Sequence, residues 1–123
     1  MILVDTSVWA DHIEREVAAL ESLLQSGQVL VHPFIIGELA VGNLRRSESV
    51  LRDLHLLPRA VVATDAETLL SIEQFRLYGA GIGYVDAHLL ISARISPDAS
   101  LWTFDRRLHD AALRLKVAHG PER

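Results

Sequence analysis

A chain of 123 residues, 50% hydrophobic and 23% charged, has the size and composition of one folded domain with a real core, and it carries no disorder signature. With no cysteine it excludes disulfides, thiolate zinc sites and a cysteine nucleophile, and it asks for no oxidising compartment, so the cytoplasm is the expected location. A net charge of -4 argues against holding nucleic acid by bulk electrostatics, and neither the opening MILV nor any apolar run has the character of an export signal or the roughly 18 residues of a membrane span.

In chain order, Ile2 to Val4 is a short apolar run ended by Asp-Thr-Ser, residues that cap helices, which predicts a strand, a turn at Asp5 to Ser7 and a helix. Glu14 to Gln25 is amphipathic through Val17, Leu20, Leu23 and Leu24, and Gly27 ends it before a second strand at Val29 to His32. Pro33 opens a helix from Phe34 to roughly Leu44, in which Glu38 is the single acid among Ile35, Ile36, Leu39 and Val41. Ser47 opens a short helix through about Leu56, Pro58 interrupts, and Arg59 to Ala63 reads as a third strand. Thr64 with Glu67 is a capping-box pattern for a helix running to Tyr78. Gly79, Gly81 and Gly83 lead into a helix that carries Asp86, with Leu89, Leu90 and Ala93 at the spacing of one helical face. Leu101 to Phe104 is a fourth strand, Asp105 stands where it gives way to a helix over Arg106 to about Leu115, and Val117 to His119 adds a last short strand. Strands alternating with helices predict a single α/β domain over residues 1–123, a central parallel sheet of four to five strands in a three-layer α/β/α arrangement.

Ligands of an open parallel sheet bind beyond the carboxyl ends of its strands, where helices begin. Asp5 and Asp105 fall there, and Glu38 and Asp86 lie near helix starts that reach the same end. Four converging carboxylates require compensation, and a hard divalent cation with oxygen ligands supplies it, magnesium or manganese being the natural candidates. Such a site takes its remaining ligands from water and phosphate, which points to phosphodiester hydrolysis. Eleven of the twelve basic residues are arginine, which suits phosphate forks or reflects genomic base composition.

The stretches MILVDTSVW, PFIIGELAVG, GIGYVDAHLL and LWTFDRRL, in this order and at these separations, resemble the PIN-domain ribonucleases, and within them the VapC-type toxins of bacterial toxin–antitoxin pairs. The resemblance implies that Asp5, Glu38, Asp86 and Asp105 form the acidic quartet that binds magnesium or manganese, with Thr6 and Thr103 as hydroxyls that support the acids. It also implies endonucleolytic cutting of RNA, homodimerisation, and inhibition by a cognate VapB-like antitoxin.

Plainer readings stand beside these. Asp5 and Asp105 each serve as a helix N-cap, Glu38 pairs with Arg45 or Arg46, and Asp86 is satisfied by backbone donors at a helix start. His88 is placed at the surface or an interface, and Trp9 and Trp102 in core or interface positions instead of base-stacking platforms. Arg106 and Arg107 reach phosphate or form a solvated helix start. A phosphatase of the haloacid-dehalogenase kind needs a second Asp where Ser7 stands, and a receiver domain needs a lysine after its last strand, whereas the single lysine is Lys116. The alternative to an endoribonuclease is a non-catalytic PIN-like module that binds RNA or protein.

Overall fold

The β-branched and leucine side chains of Ile2, Leu3 and Val4 form β1 (Ile2–Val4), the central strand, which runs parallel to both neighbours. On one side Ile2 and Leu3 stand opposite Val29 and Leu30 of β2 (Val29–Leu30), and on the other Ile2, Leu3 and Val4 stand opposite Ser100, Leu101 and Trp102 of β3 (Ser100–Trp102). The computed structural model describes residues 1–42 and 47–120. Parallel strands need crossovers. The helices α1 (Thr6–Glu14) and α2 (Ala18–Gln25) separate β1 from β2, and α3 (Pro33–Val41), α4 (Ser47–Leu54), α5 (Asp65–Gln74) and α6 (Tyr84–Ile95) separate β2 from β3. A last helix, α7 (Arg106–Arg114), follows β3.

Successive strand residues face opposite sides of a sheet, and the core divides accordingly. Leu3, Leu30 and Leu101 pack with Leu77, Leu90, Leu108 and Ala112 on one face. Val4, Val29 and Val31 pack with Val8, Trp9, Leu20, Ile35 and Leu39 on the other. Both faces are thus covered by helices, an α/β arrangement. The helix α6 serves both cores, giving Leu90 and Ile91 to the first and Leu89 to the second, so every residue from Ala87 to Ala93 is buried. His88 is therefore not at the surface as the sequence suggested. It is 3% exposed, and its Nε2 lies 3.2 Å from Asp65 Oδ1 at the start of α5.

Among the described residues the sheet has three strands, not four to five. The expected third strand, Arg59 to Ala63, contributes only an isolated parallel bridge between Val31 and Arg59. The Ala60 N–H completes that bridge on Val31 O at 2.9 Å, but the donors beyond it go elsewhere: the Val61 N–H reaches Ser96 Oγ at 2.8 Å and the Ala63 N–H reaches Ser92 Oγ at 3.0 Å, both on or just beyond α6. A segment whose N–H groups are taken by serine hydroxyls satisfies its polar backbone without a ladder. The expected last strand shortens to a bridge between Leu101 and Ala118, between Lys116 at φ 61° and Gly120 at φ 103°, left-handed conformations that end an extended run on either side. The helix expected to reach Tyr78 stops at Gln74, before Arg76 at φ 53°. Its start matches the pattern read in the sequence, a capping box in which Thr64 Oγ1 accepts from the Glu67 N–H and Glu67 accepts from the Thr64 N–H.

Candidate metal centre

The strand-to-helix junction after β1 fixes Asp5. It occupies the N-cap position of α1, yet its side chain makes no capping bond. Its Oδ2 accepts instead from Ser7 Oγ at 2.8 Å and from Thr103 Oγ1 at 2.7 Å, in a position only 5% exposed. The plain N-cap reading therefore fails for Asp5. A carboxylate turned away from the free N–H groups of its own helix, and held by two hydroxyls, is oriented for something other than capping.

Ser7 is absent from the set of residues expected to support the acids, although it joins both sides of the junction. Besides Asp5 it lies 3.2 Å from Thr103 Oγ1 and accepts from the Phe104 N–H at 3.0 Å. The signal available in the sequence was a hydroxyl two positions after an aspartate that ends a strand. Thr103 in turn accepts from the Asp105 N–H at 3.0 Å, so the ends of β1 and β3 share one network of side-chain and backbone bonds.

Glu38 lies on the exposed side of α3, and Thr6 Oγ1 donates to its Oε1 at 2.7 Å. Because Thr6 follows Asp5 directly, this bond ties the acid of α3 to the end of β1. The alternative partners Arg45 and Arg46 lie outside the described residues. Asp105 is the N-cap of α7 and does cap it: Oδ1 accepts from the Arg107 N–H at 2.9 Å and the Leu108 N–H at 3.1 Å. Here the plain reading is realised, with both bonds on one oxygen.

Asp86 sits half-buried in the first turn of α6. Burial pushes its carboxyl above the ordinary aspartate range, the negative charge of Asp5 adds to this, and those of Asp105 and Glu38 add further; the Gly83 N–H pulls the other way. The backbone donor at the helix start is thus present but outweighed. The other three acids all act electrostatically on one point, Asp86. They do not touch, and among the described residues no three His, Cys, Asp or Glu side chains are arranged to hold a metal ion by themselves. Charge coupling reaches farther than direct ligation, so the two observations describe different distances. The donor set is all oxygen, which fits a hard divalent cation that keeps several waters and takes further ligands from phosphate.

A basic residue from α7 approaches the same region. A Cβ on Gly81, whose φ is +78°, would stand 2.6 Å from Arg107 Cδ, so the missing side chain is what lets Arg107 lie across the turn leading into α6. Arg107 makes no ion pair among the described residues.

A parallel sheet wrapped by helices, with carboxylates gathered beyond the strand ends, defines the class. The chain belongs to the PIN domain family, which matches its residues 2–113. Within that family it is 42% identical over 122 residues to Ribonuclease VapC32 of Mycobacterium tuberculosis strain CDC 1551 / Oshkosh, an alignment covering 99% of this chain and 98% of the relative. The same identity and coverage hold for Ribonuclease VapC32 of Mycobacterium tuberculosis strain ATCC 25618 / H37Rv. These likenesses make it a VapC-type PIN ribonuclease. No solved structure matches the chain.

Proposed function

We propose that the chain, acting as one unit over residues 1–123, is a divalent-metal-dependent endoribonuclease that hydrolyses RNA phosphodiester bonds as the toxin of a toxin–antitoxin pair. The observation that carries this reading is the half-buried Asp86 carboxyl, raised by burial and by three further acids from three other elements. Four acids whose charges oppose one another are unfavourable in the bare protein, and they are retained where a cation offsets them.

Asp5, Glu38, Asp86 and Asp105 would hold the ion, magnesium in the first place and manganese as a substitute. When bound, the cation offsets charge on the scissile phosphate and makes water acidic enough to attack near neutral pH. Asp5, fixed by Ser7 and Thr103, is the rigid ligand. Asp86 would bind in its ionised form, and the charges of Asp5, Asp105 and Glu38 that oppose this form in the bare protein are what a cation would offset. Thr6 steadies Glu38, and Arg107, lying across the Gly81 turn that leads into α6, is a cation that would meet RNA phosphate.

The test is cleavage of a panel of single-stranded and structured RNAs with magnesium, with manganese and with chelator. Cutting that needs metal supports the enzyme. Folded protein, free of any partner, that binds RNA and cuts none of it would favour the non-catalytic module.

The support of Asp5 yields a smaller expectation. Thr103→Val keeps the shape but removes one of the two donors on Oδ2, so the half-saturating magnesium concentration for cleavage should rise by about 10- to 100-fold. An unchanged magnesium dependence would deny Thr103 its supporting role.

The same reading includes neutralisation by a cognate VapB-like antitoxin, a homodimer and a cytoplasmic site of action. No helix among the described residues is long and apolar enough to cross a membrane. On α5, Leu69 and Leu70 leave apolar surface exposed, the kind that a second copy covers. A monomer by light scattering at micromolar concentration would count against the dimer.

A further inference from the structure

Where β3 ends, a cavity of about 300 Å³ adjoins the acidic centre and shares Thr103 and Asp105 with it. Its wall carries three rings, those of Trp102, Phe104 and His119. Trp102 stands 5.7 Å from Phe104 at an interplanar angle of 87° and 5.4 Å from His119 at 59°. Phe104 is 49% exposed, whereas a phenylalanine placed for packing alone is usually covered. Trp102 packs its inner side against the core, which fixes the platform. Burial and the Met1 ammonium hold the His119 imidazole below its ordinary range, so it presents a neutral ring at pH 7.

A cation stands at the rim. Arg106, on the first turn of α7, lines the cavity and makes no ion pair among the described residues. An exposed aromatic ring beside an unpaired guanidinium forms the combination that binds single-stranded nucleic acid, a base on the ring and backbone on the cation. The volume lies at the low end of the ~300–1,000 Å³ of small-ligand sites, which suits one nucleotide and not a stack of several.

We propose that this cavity receives one unpaired base of the RNA, next to the phosphodiester that is cut, with the base stacked on Phe104, its edge against Trp102 and its phosphate on Arg106. The inference rests on the nuclease reading and deepens it by naming a residue that sets specificity. The Phe104 N–H donates to Ser7 Oγ, which donates to Asp5, so the platform and the acidic centre hang on one hydrogen-bonded frame. A base seated on Phe104 therefore sets the distance of its neighbouring phosphate from Asp5 and Asp105.

The test compares wild type, Phe104→Tyr and Phe104→Ala on a short single-stranded RNA and on copies carrying one abasic nucleotide at successive positions around the cut. Wild type should lose about 5- to 100-fold in kcat/KM, mainly through KM, when the base is missing at one position beside the cut. Phe104→Ala should lose a similar factor on the intact strand and become indifferent to that abasic position, while Phe104→Tyr keeps the wild-type pattern. Equal sensitivity to the abasic position in wild type and Phe104→Ala would overturn the proposal. So would a Phe104→Ala protein that cuts intact RNA like wild type but loses affinity for the antitoxin, which would assign the cavity to a protein segment. To separate this inference from the nuclease reading, Trp102 fluorescence is followed in a Trp9→Phe background with chelator present, where no cutting is needed. Quenching by the intact oligonucleotide and not by its abasic copy sustains the base pocket even if no RNA is ever cut; equal quenching by both, or none, overturns it.

Discussion

Asp86→Asn is expected to lower RNA cleavage by on the order of 10³-fold and, in the same protein, to raise the melting temperature of the metal-free form. The two effects have one cause. Burial and the charges of Asp5, Asp105 and Glu38 all disfavour the ionised Asp86 carboxylate, so the bare fold carries an electrostatic strain that a neutral amide of the same shape relieves. The amide can still accept from the Gly83 N–H, so the start of α6 is preserved. It carries no charge, and it is a poorer ligand for a hard cation. The sign of the pH dependence follows. The folded-state pKa of Asp86 is raised, so its contribution to the stability of the metal-free protein is full below the unfolded carboxylate range and is lost as pH rises through the raised value. Metal binding needs the ionised form, so affinity for the cation should increase with pH across that window. Melting curves with and without magnesium, beside cleavage rates, read both effects. An Asp86→Asn protein that is less stable without metal, or that cuts within tenfold of wild type, contradicts this assignment.

Ser92→Ala is the substitution expected to cost the fold most for the smallest change in volume. Ser92 Oγ, fully buried in α6, takes the Ala63 N–H at 3.0 Å and lies 3.1 Å from His32 Nε2. His32 Nδ1 accepts from the Phe34 N–H at 3.0 Å, so the network assigns the ring proton to Nε2 and makes Ser92 the acceptor for two buried donors. Removing the hydroxyl leaves both unsatisfied, and at ~1–3 kcal/mol for each the loss comes to roughly 2–6 kcal/mol. That is a large share of the ~5–15 kcal/mol by which a domain of this kind is stable. Urea denaturation measures it, and a loss below about 1 kcal/mol would mean that the network relaxes onto other partners. The same cluster sets an acid limit. Burial, and then the neighbouring charges of His88 and Arg59, hold His32 at about 4 instead of 6.5. A base with a depressed folded-state pKa stabilises above its unfolded value and loses that contribution as pH falls from about 6.5 through about 4. In mildly acid solution His32 and Asp86 therefore act on stability in opposite directions.

The candidate acids are legible in the sequence where they break local rules. A lone acid in an apolar helix, as at Glu38, and a carboxylate on the face of Leu89 and Leu90, as at Asp86, both demand compensation that the local sequence does not offer. Asp105 shows the limit of that logic: the same residue type at the same kind of junction does cap its helix, and only the folded hydrogen bonding separates it from Asp5. The outer strands were misread for a related reason. Arg59 to Ala63 has strand composition, but after Ala60 its Val61 and Ala63 donors are met by Ser96 and Ser92, some thirty residues away in sequence. His88 was placed outside because helical periodicity assumes one buried face, and α6 has cores on two sides. Trp102 was read as a core or interface residue and does pack against the core, yet it also lines the cavity beside Asp105. Periodicity marks burial without telling which ring faces remain open.

The most direct measurement on the four-acid centre is binding of manganese to the metal-free chain, followed by electron paramagnetic resonance of the free ion, in wild type and in Asp5→Asn, Glu38→Gln and Asp86→Asn. If the acids build one metal site, wild type binds manganese with an affinity that rises with pH, and each variant binds it at least about tenfold more weakly. Manganese bound with undiminished affinity by all three variants would contradict the centre.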